Sequence, residues 1–368
     1  MKETLESLTA LRFFAAFLVF LDHYVVVNEN WGFPLGCIAI TFFFTLSGFV
    51  LTFAYRDAFK QQQITKSKFY IGRFARVWPL HILCLLLMVP FALQFFYLEP
   101  LKSSIYLVAN LLLLQDFIPH SADLLNSPSW SISAEFFFYL LFPGLLGLAL
   151  KSIKVYFISL MLFLIFLIGM ALRFSGADTS VHNISLLGIT HISFAGIFYV
   201  FPPVRIFDFM CGIALFFVYE KIYTKKFAMF FSCLEVFGLL LLGLTYVFHN
   251  LFLSLLQVGL IFLPAVLLIL AGFSGQKGAL SKALSKRWII LLGEASFAFY
   301  LLQEPLNQIL WVLFHEFLHS RTLLQLIHFI VLIILSILIH KLFELPLYRR
   351  IREFFGVNRT VTLKNYLS

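Results

Sequence analysis

What most constrains this chain is the recurrence of apolar stretches long enough to cross a bilayer. A helix rises 1.5 Å per residue, so about 20 apolar residues span the hydrocarbon core. Ten stretches read as such spans: residues 8–27, 36–55, 78–97, 132–150, 155–172, 206–219, 227–248, 251–273, 288–313 and 323–343. Backbone amides in lipid must find their partners within the segment, which makes each span a helix. With 61% hydrophobic and 12% charged residues, the chain lies far from the half-apolar, quarter-charged balance of a soluble domain. The expected fold is an all-α polytopic membrane protein with about ten transmembrane helices, residues 1–368 forming one membrane domain.

Two further stretches are ambiguous. Residues 104–117 are short, and residues 186–201 are interrupted by Gly188, His191 and Gly196 and stopped by Pro202 and Pro203. Cytoplasmic loops carry the excess of Lys and Arg. If the ten stretches cross and these two do not, the outer side holds only Lys102, Arg173, Arg205 and Arg321, and Arg12 lies in the membrane. Both termini are then cytoplasmic. Residues 104–117 become a re-entrant or outer-surface segment beside a chamber between Lys102 and Trp130, since half-crossing backbone needs a cavity or protein around it. Twelve spans, with both stretches crossing, is the next-best topology. The net charge of +9 is spread between spans rather than along one face, so it reads as membrane orientation and lipid contact, not nucleic-acid binding. Cys37, Cys84, Cys211 and Cys233 have no metal or disulfide spacing and read as small buried hydrophobes.

An ionisable residue inside a span is costly and marks a candidate functional site. The first span carries Arg12, Asp22 and His23, with Arg12 and His23 eleven residues and therefore roughly 16 Å apart along the axis. A neutral imidazole titrates near operating pH and suits a general base; the plain alternative is a histidine bonded to a neighbouring helix. Asp22 precedes His23, although adjacent helical positions point about 100° apart. Arg73 and Arg76 share one helix face at the mouth of the third span. Two guanidinium groups so placed can grip phosphate oxygens bidentately, or simply anchor the span among lipid headgroups. Ser47-Gly48, within Phe42-Phe-Phe-Thr-Leu-Ser-Gly-Phe49, offers a hydroxyl and a close backbone approach. Glu135 lies five residues after Trp130 in an apolar run, while Glu304-Pro305 and Glu344-Leu-Pro346 place carboxylates beside helix-disturbing prolines.

His315-Glu-Phe-Leu-His319 matches the H-E-x-x-H spacing that binds zinc on one helical face, with Glu316 as base. No downstream motif supplies a third ligand, and the stretch falls at the end of a span, where a solvated helix end is the simpler reading. An intramembrane zinc protease is thus one function class to weigh, and a transporter or flippase, which a polytopic bundle with buried charge also allows, is another. No internal repeat points to the matched halves of a transporter.

Taken in order, these residues resemble the acyltransferase 3 family of integral membrane acyltransferases. The resemblance runs from Leu8 to about Arg350. It rests on Arg12 and His23; Phe-Phe-x-x-Ser-Gly-Phe ending at Phe49; Arg73-x-x-Arg76 followed by Pro79; Trp130-Ser-x-x-x-Glu135; and Tyr300-Leu-x-x-x-Pro305. The resemblance implies ten spans in a bacterial inner membrane. It implies transfer of an acyl group, usually acetyl, from cytoplasmic acetyl-CoA or another acyl-CoA to a hydroxyl of a lipopolysaccharide, other surface glycan or lipid-linked sugar. His23 and Glu135 would be the catalytic residues and Arg12, Arg73 and Arg76 the CoA contacts; Ser47, Trp130 and Tyr300 would face substrate, and no metal is implied. The family often has His where this chain has Gln303, so no role of that histidine is carried over.

Overall fold

The computed structural model describes residues 5–25, 34–118, 121, 125–174, 199–223, 227–249, 259–317 and 320–357. Among the described residues, regular structure is helical throughout. Helix α1 (Glu6–Phe20) runs on into a single π-helical turn, Leu21–Val25. Helices α2 (Pro34–Lys60) and α3 (Lys66–Leu98) follow, the latter opened by Thr65, whose hydroxyl accepts the Lys68 N–H. At twelve residues, α4 (Pro100–Leu111) is too short to cross, in keeping with its reading as a non-crossing segment. Then come α5 (Trp130–Lys151), α6 (Ile153–Phe174), α7 (Pro202–Ile222), α8 (Ala228–Val247), α9 (Leu263–Ser274), α10 (Ala279–Leu284), α11 (Arg287–Glu294) and α12 (Ser296–Phe314). Helix α13 (Arg321–Ile339) passes through a second π-helical turn, His340–Glu344, into α14 (Leu345–Phe354).

Eight of these helical stretches are long and apolar enough to cross a membrane, and α11 with α12, bent by 56°, makes a ninth. The expected span 251–273 is represented by α9, because residues 251–258 lie outside the described residues, as do 186–198.

At the centre of the bundle are α2 and α7, each 78% buried over its apolar window, against 17% for α8 at the periphery. Glycines let the two central backbones touch. A Cβ on Gly48 would lie 2.0 Å from the Phe209 carbonyl oxygen, and one on Gly212 would lie 1.9 Å from that of Thr45. Without a hydrophobic drive between helices in lipid, such close small-residue crossings supply the packing that holds spans together. A comparable contact sets the bend between α11 and α12. Gly293 lies against the Thr9 carbonyl of α1, Ser296 Oγ donates to Gly293 O at 2.7 Å, and α12 turns inward from there. Pro305 lacks the N–H that would bond the Leu301 carbonyl, which instead accepts Asn126 Nδ2 at 3.1 Å.

Two sequence expectations change here. Arg205, assigned to the outer side, is fully buried in the first turn of α7. Its Nη2 reaches Asp208 Oδ2 at 2.8 Å and Thr41 Oγ1 at 3.1 Å, and its guanidinium lies over Phe44 and Tyr199. A buried partner at i+3 offsets the desolvation that would otherwise push the arginine to the surface. Cys233 is exposed on α8 rather than buried, unlike the other three cysteines.

Candidate active site

A cavity of about 130 Å³ opens among α1, α2, α3, α5 and α12. Its size is close to that of engineered cavities that take up a benzene-sized molecule. Arg12, Arg73 and Arg76 line one end, Ser47 and Glu135 its flank, and Tyr300 and Ser131 the region beyond. The i, i+3 spacing on α3 does place both arginines on the same side of the helix.

The arginines differ in how they are held. Arg73 is buried, its guanidinium 5.7 Å from the ring centroids of both Tyr55 and Tyr139 and 3.5 Å from the Tyr55 hydroxyl. Arg76 pairs with Glu344 and lies 5.3 Å over the Phe297 ring. Glu344 also meets His340 Nδ1 at 3.0 Å, so the second π-helical turn closes on the arginine end. Arg12 shares the electrostatic field of Arg76 and of the Glu294 carboxylate. The end of the cavity is strongly positive yet laced with carboxylates.

On the flank, Ser47 Oγ donates to Glu135 Oε1 at 3.0 Å, and the Tyr139 hydroxyl donates to the same oxygen. Two hydroxyl donors and an opening to the cavity account for a carboxylate in an apolar run. Gly48 sets the depth of α2 against α7, and so presents Ser47 to α5. Further along, the Tyr300 hydroxyl donates to the Pro128 carbonyl at 2.7 Å and lies 2.8 Å from Ser131 Oγ, a brace between α12 and the start of α5.

His23 stands elsewhere. It sits in the π-helical turn at the far end of α1, exposed, and is not among the cavity-lining residues. Single π-helical turns inside α-helices occur frequently at functional sites; the two here carry His23 and the Glu344–His340 pair. Asp22 does not pair with its neighbour alone: its carboxylate accepts the backbone N–H groups of Leu35 and Gly36, orphan donors of the first turn of α2. The other carboxylate whose charge acts on His23 is Glu304. Trp130 also lies off the lining, packed edge-on against Phe44 at 6.1 Å and tilted against Tyr199 at 5.3 Å. Gln303 is fully buried, its Nε2 donating to the Ala16 carbonyl at 3.2 Å, which ties α12 to α1.

Six candidate residues, Arg12, Ser47, Arg73, Arg76, Glu135 and Tyr300, thus converge on one cavity. Tyr139 was missed, although its i+4 spacing from Glu135 is a legible signal. The service of Glu344 to Arg76 joins residues 268 positions apart and has no local signature. In the zinc-like motif, His315 is exposed with Nδ1 2.8 Å from the Trp311 carbonyl, and His319 lies outside the described residues. His120 and Asp123 also lie outside them.

Comparison with known proteins adds independent information. A family model described as an acyltransferase domain matches residues 5–341. The acyltransferase MdmB of Streptomyces mycarofaciens is 31% identical over 331 residues, covering 81% of this chain and 77% of its own length. The peptidoglycan O-acetyltransferase OatA of Listeria monocytogenes is 26% identical over 332 residues, covering 83% of this chain, which spans half the length of that relative. No solved structure matches significantly.

Proposed function

Because the chain belongs to the acyltransferase 3 family and is a multi-pass membrane protein, we propose that it moves an acyl group, acetyl first among them, from acyl-CoA to a hydroxyl of a cell-envelope glycan, in a bacterial cytoplasmic membrane. The observation that carries this reading is the cavity itself, in which three arginines meet an apolar pocket containing a hydrogen-bonded Ser47–Glu135 pair. An arginine cluster suits the phosphates of a nucleotide-bearing thioester. The adjoining pocket suits a small acyl group and its flexible arm. A glycan acceptor, whether the O-antigen of a lipopolysaccharide, another polymer or a lipid-linked sugar, is supported by the similarity to a peptidoglycan O-acetyltransferase.

In this mechanism His23 accepts the proton of the acceptor hydroxyl as its oxygen attacks the thioester carbonyl. The carbon–sulfur bond breaks, and the departing thiolate takes the proton from the imidazolium. Arg12 and His23 are roughly 16 Å apart along α1, a distance for the arm of the acyl carrier to cover. Arg73 and Arg76 anchor its phosphates, with Glu344 exchanging its place on Arg76 for a phosphate oxygen. Glu135 orients the reacting end through Ser47 and Tyr139.

The test is incubation of purified wild type and His23→Ala with radiolabelled acetyl-CoA and an envelope glycan extract. Label should enter the glycan with the wild type and not with the variant. Near-normal transfer by His23→Ala would remove the base from this mechanism. No label transfer and no CoA release by well-folded wild type would favour a transporter instead.

A further inference from the structure

Glu304 is a carboxylate in the middle of α12, inside a span, which is costly unless it is used. Both its oxygens are fixed. The Tyr24 hydroxyl donates to Oε2 at 2.9 Å, and Gln308 Nε2 donates to Oε1 at 2.6 Å. Both donors are neutral and fix the direction of the carboxylate, whose charge acts on the His23 imidazole. Tyr24 is the residue after His23 in the same π-helical turn and points inward, buried, while His23 faces outward. Glu304 therefore backs the turn from the protein side, with its direction set by two hydrogen bonds.

We propose that Glu304 is a positioning residue for His23: its fixed carboxylate holds the π-helical turn through Tyr24 and stabilises the imidazolium that forms when His23 takes the acceptor's proton. The proposal rests on the reading of His23 as the base. The chemistry is unchanged by it. The acceptor oxygen bonds to the acyl carbon, the thioester carbon–sulfur bond breaks, and the proton passes from hydroxyl to imidazole to thiolate.

Among the described residues, the charged and titratable groups around His23 are its neighbours Asp22 and Tyr24, and Glu304 from α12; His328 of α13 packs on Tyr24 with ring centroids 4.8 Å apart. Asp22 is the nearer acid in sequence, but it is committed to the first turn of α2. Glu304 is bound to the turn that carries the histidine, and its loss should be felt in the chemical step.

The experiment compares wild type, Glu304→Gln, Glu304→Asp and His23→Ala in acetyl-CoA-dependent transfer to glycan, across pH. Glu304→Gln keeps the size and the hydrogen-bonding reach of the side chain and removes the charge. Expected is a fall in kcat of about tenfold or more, an unchanged KM for acetyl-CoA, and an acidic limb of the rate profile moved to lower pH, since an imidazole without its counter-charge protonates less readily. Glu304→Asp should recover part of the rate. A Glu304→Gln enzyme with wild-type kcat and profile, or with a loss confined to the acetyl-CoA KM, would overturn the proposal. If His23→Ala is inactive while Glu304→Gln behaves as wild type, the role of Glu304 falls and the base stands. If His23→Ala retains transfer, both fall.

Discussion

Glu135 is the residue that best separates a structural from a functional role. Its carboxylate is satisfied by Ser47 and Tyr139. Glu135 is half-buried, and replacing a hydrogen-bonded polar group by an apolar residue of similar shape can be nearly neutral or stabilising. Glu135→Leu should therefore fold, with thermal stability equal to or above wild type in detergent, and lose acyl transfer. Tyr139→Phe and Ser47→Ala should each leave the carboxylate one hydrogen-bond donor short and cost about 1–3 kcal/mol, readable as a lower melting temperature. Conversely, a Glu135→Leu protein that unfolds would make this carboxylate part of the scaffold. Charge geometry decides the arginines. Lysine keeps the charge but not the planar fork, so Arg73→Lys and Arg76→Lys should raise the KM for acetyl-CoA while leaving the fold intact. At this scale the sequence was informative where residues share a helix face, as Arg73 with Arg76 and Glu135 with Tyr139. It was silent where partners are remote, as for Arg76 with Glu344, because periodicity reports which face a residue occupies and not what opposes it.

Among the elements, the α2–α7 crossing does the positioning. Gly48 and Gly212 are each in contact with the opposing backbone, and that contact is what places Ser47 beside Glu135. Gly48→Ala and Gly212→Ala both force a methyl into a carbonyl oxygen, and a well-packed interface charges about 1–3 kcal/mol or more for such overpacking. Each should lower the melting temperature and reduce transfer together. Gly144→Ala and Gly147→Ala on α5 meet nothing within 4 Å and supply the control: they should be neutral or stabilising by up to about 1 kcal/mol from helix propensity. Equal tolerance at all four sites would mean the crossing is looser than the backbone contact implies. The apolar runs disclosed that these helices exist, since the length needed to cross lipid is written in composition. Which helices pair was not disclosed, apart from the hint of Gly48, because α2 and α7 are apolar all round. Neither π-helical turn has a sequence signature, so the outward placement of His23 emerged only from the structure.

At the scale of the whole molecule the candidate residues fall into two groups. Arg12, Arg73 and Arg76 form one, in the starting halves of α1 and α3; His23, with Glu304 behind it, forms the other, near the far end of α1. At the connection between α2 and α3, Lys60 ends α2 and Lys66 and Lys68 open α3, all on the arginine side, and the positive-inside rule assigns such a basic connection to the cytoplasm. That assignment comes from counting basic residues, and it applies to loops because exposed charges obey the rule. Arg205 escaped it because a buried ion pair with Asp208 answers to protein packing instead. The two-ended arrangement makes a sidedness prediction. Acetyl-CoA does not cross a sealed bilayer, so inverted vesicles supplied with it externally should label a glycan acceptor enclosed within them or carried on their membrane. Sealed right-side-out vesicles given the same external acetyl-CoA should not, and permeabilising them should restore labelling. Arg73→Ala and Arg76→Ala should lower the inverted-vesicle rate at subsaturating acetyl-CoA and recover as its concentration rises, since they weaken anchoring at that end. Equal labelling by both sealed orientations would mean that the thioester is used from either face of the membrane, and the separation of an arginine end for the donor from a His23 end for the acceptor would fall.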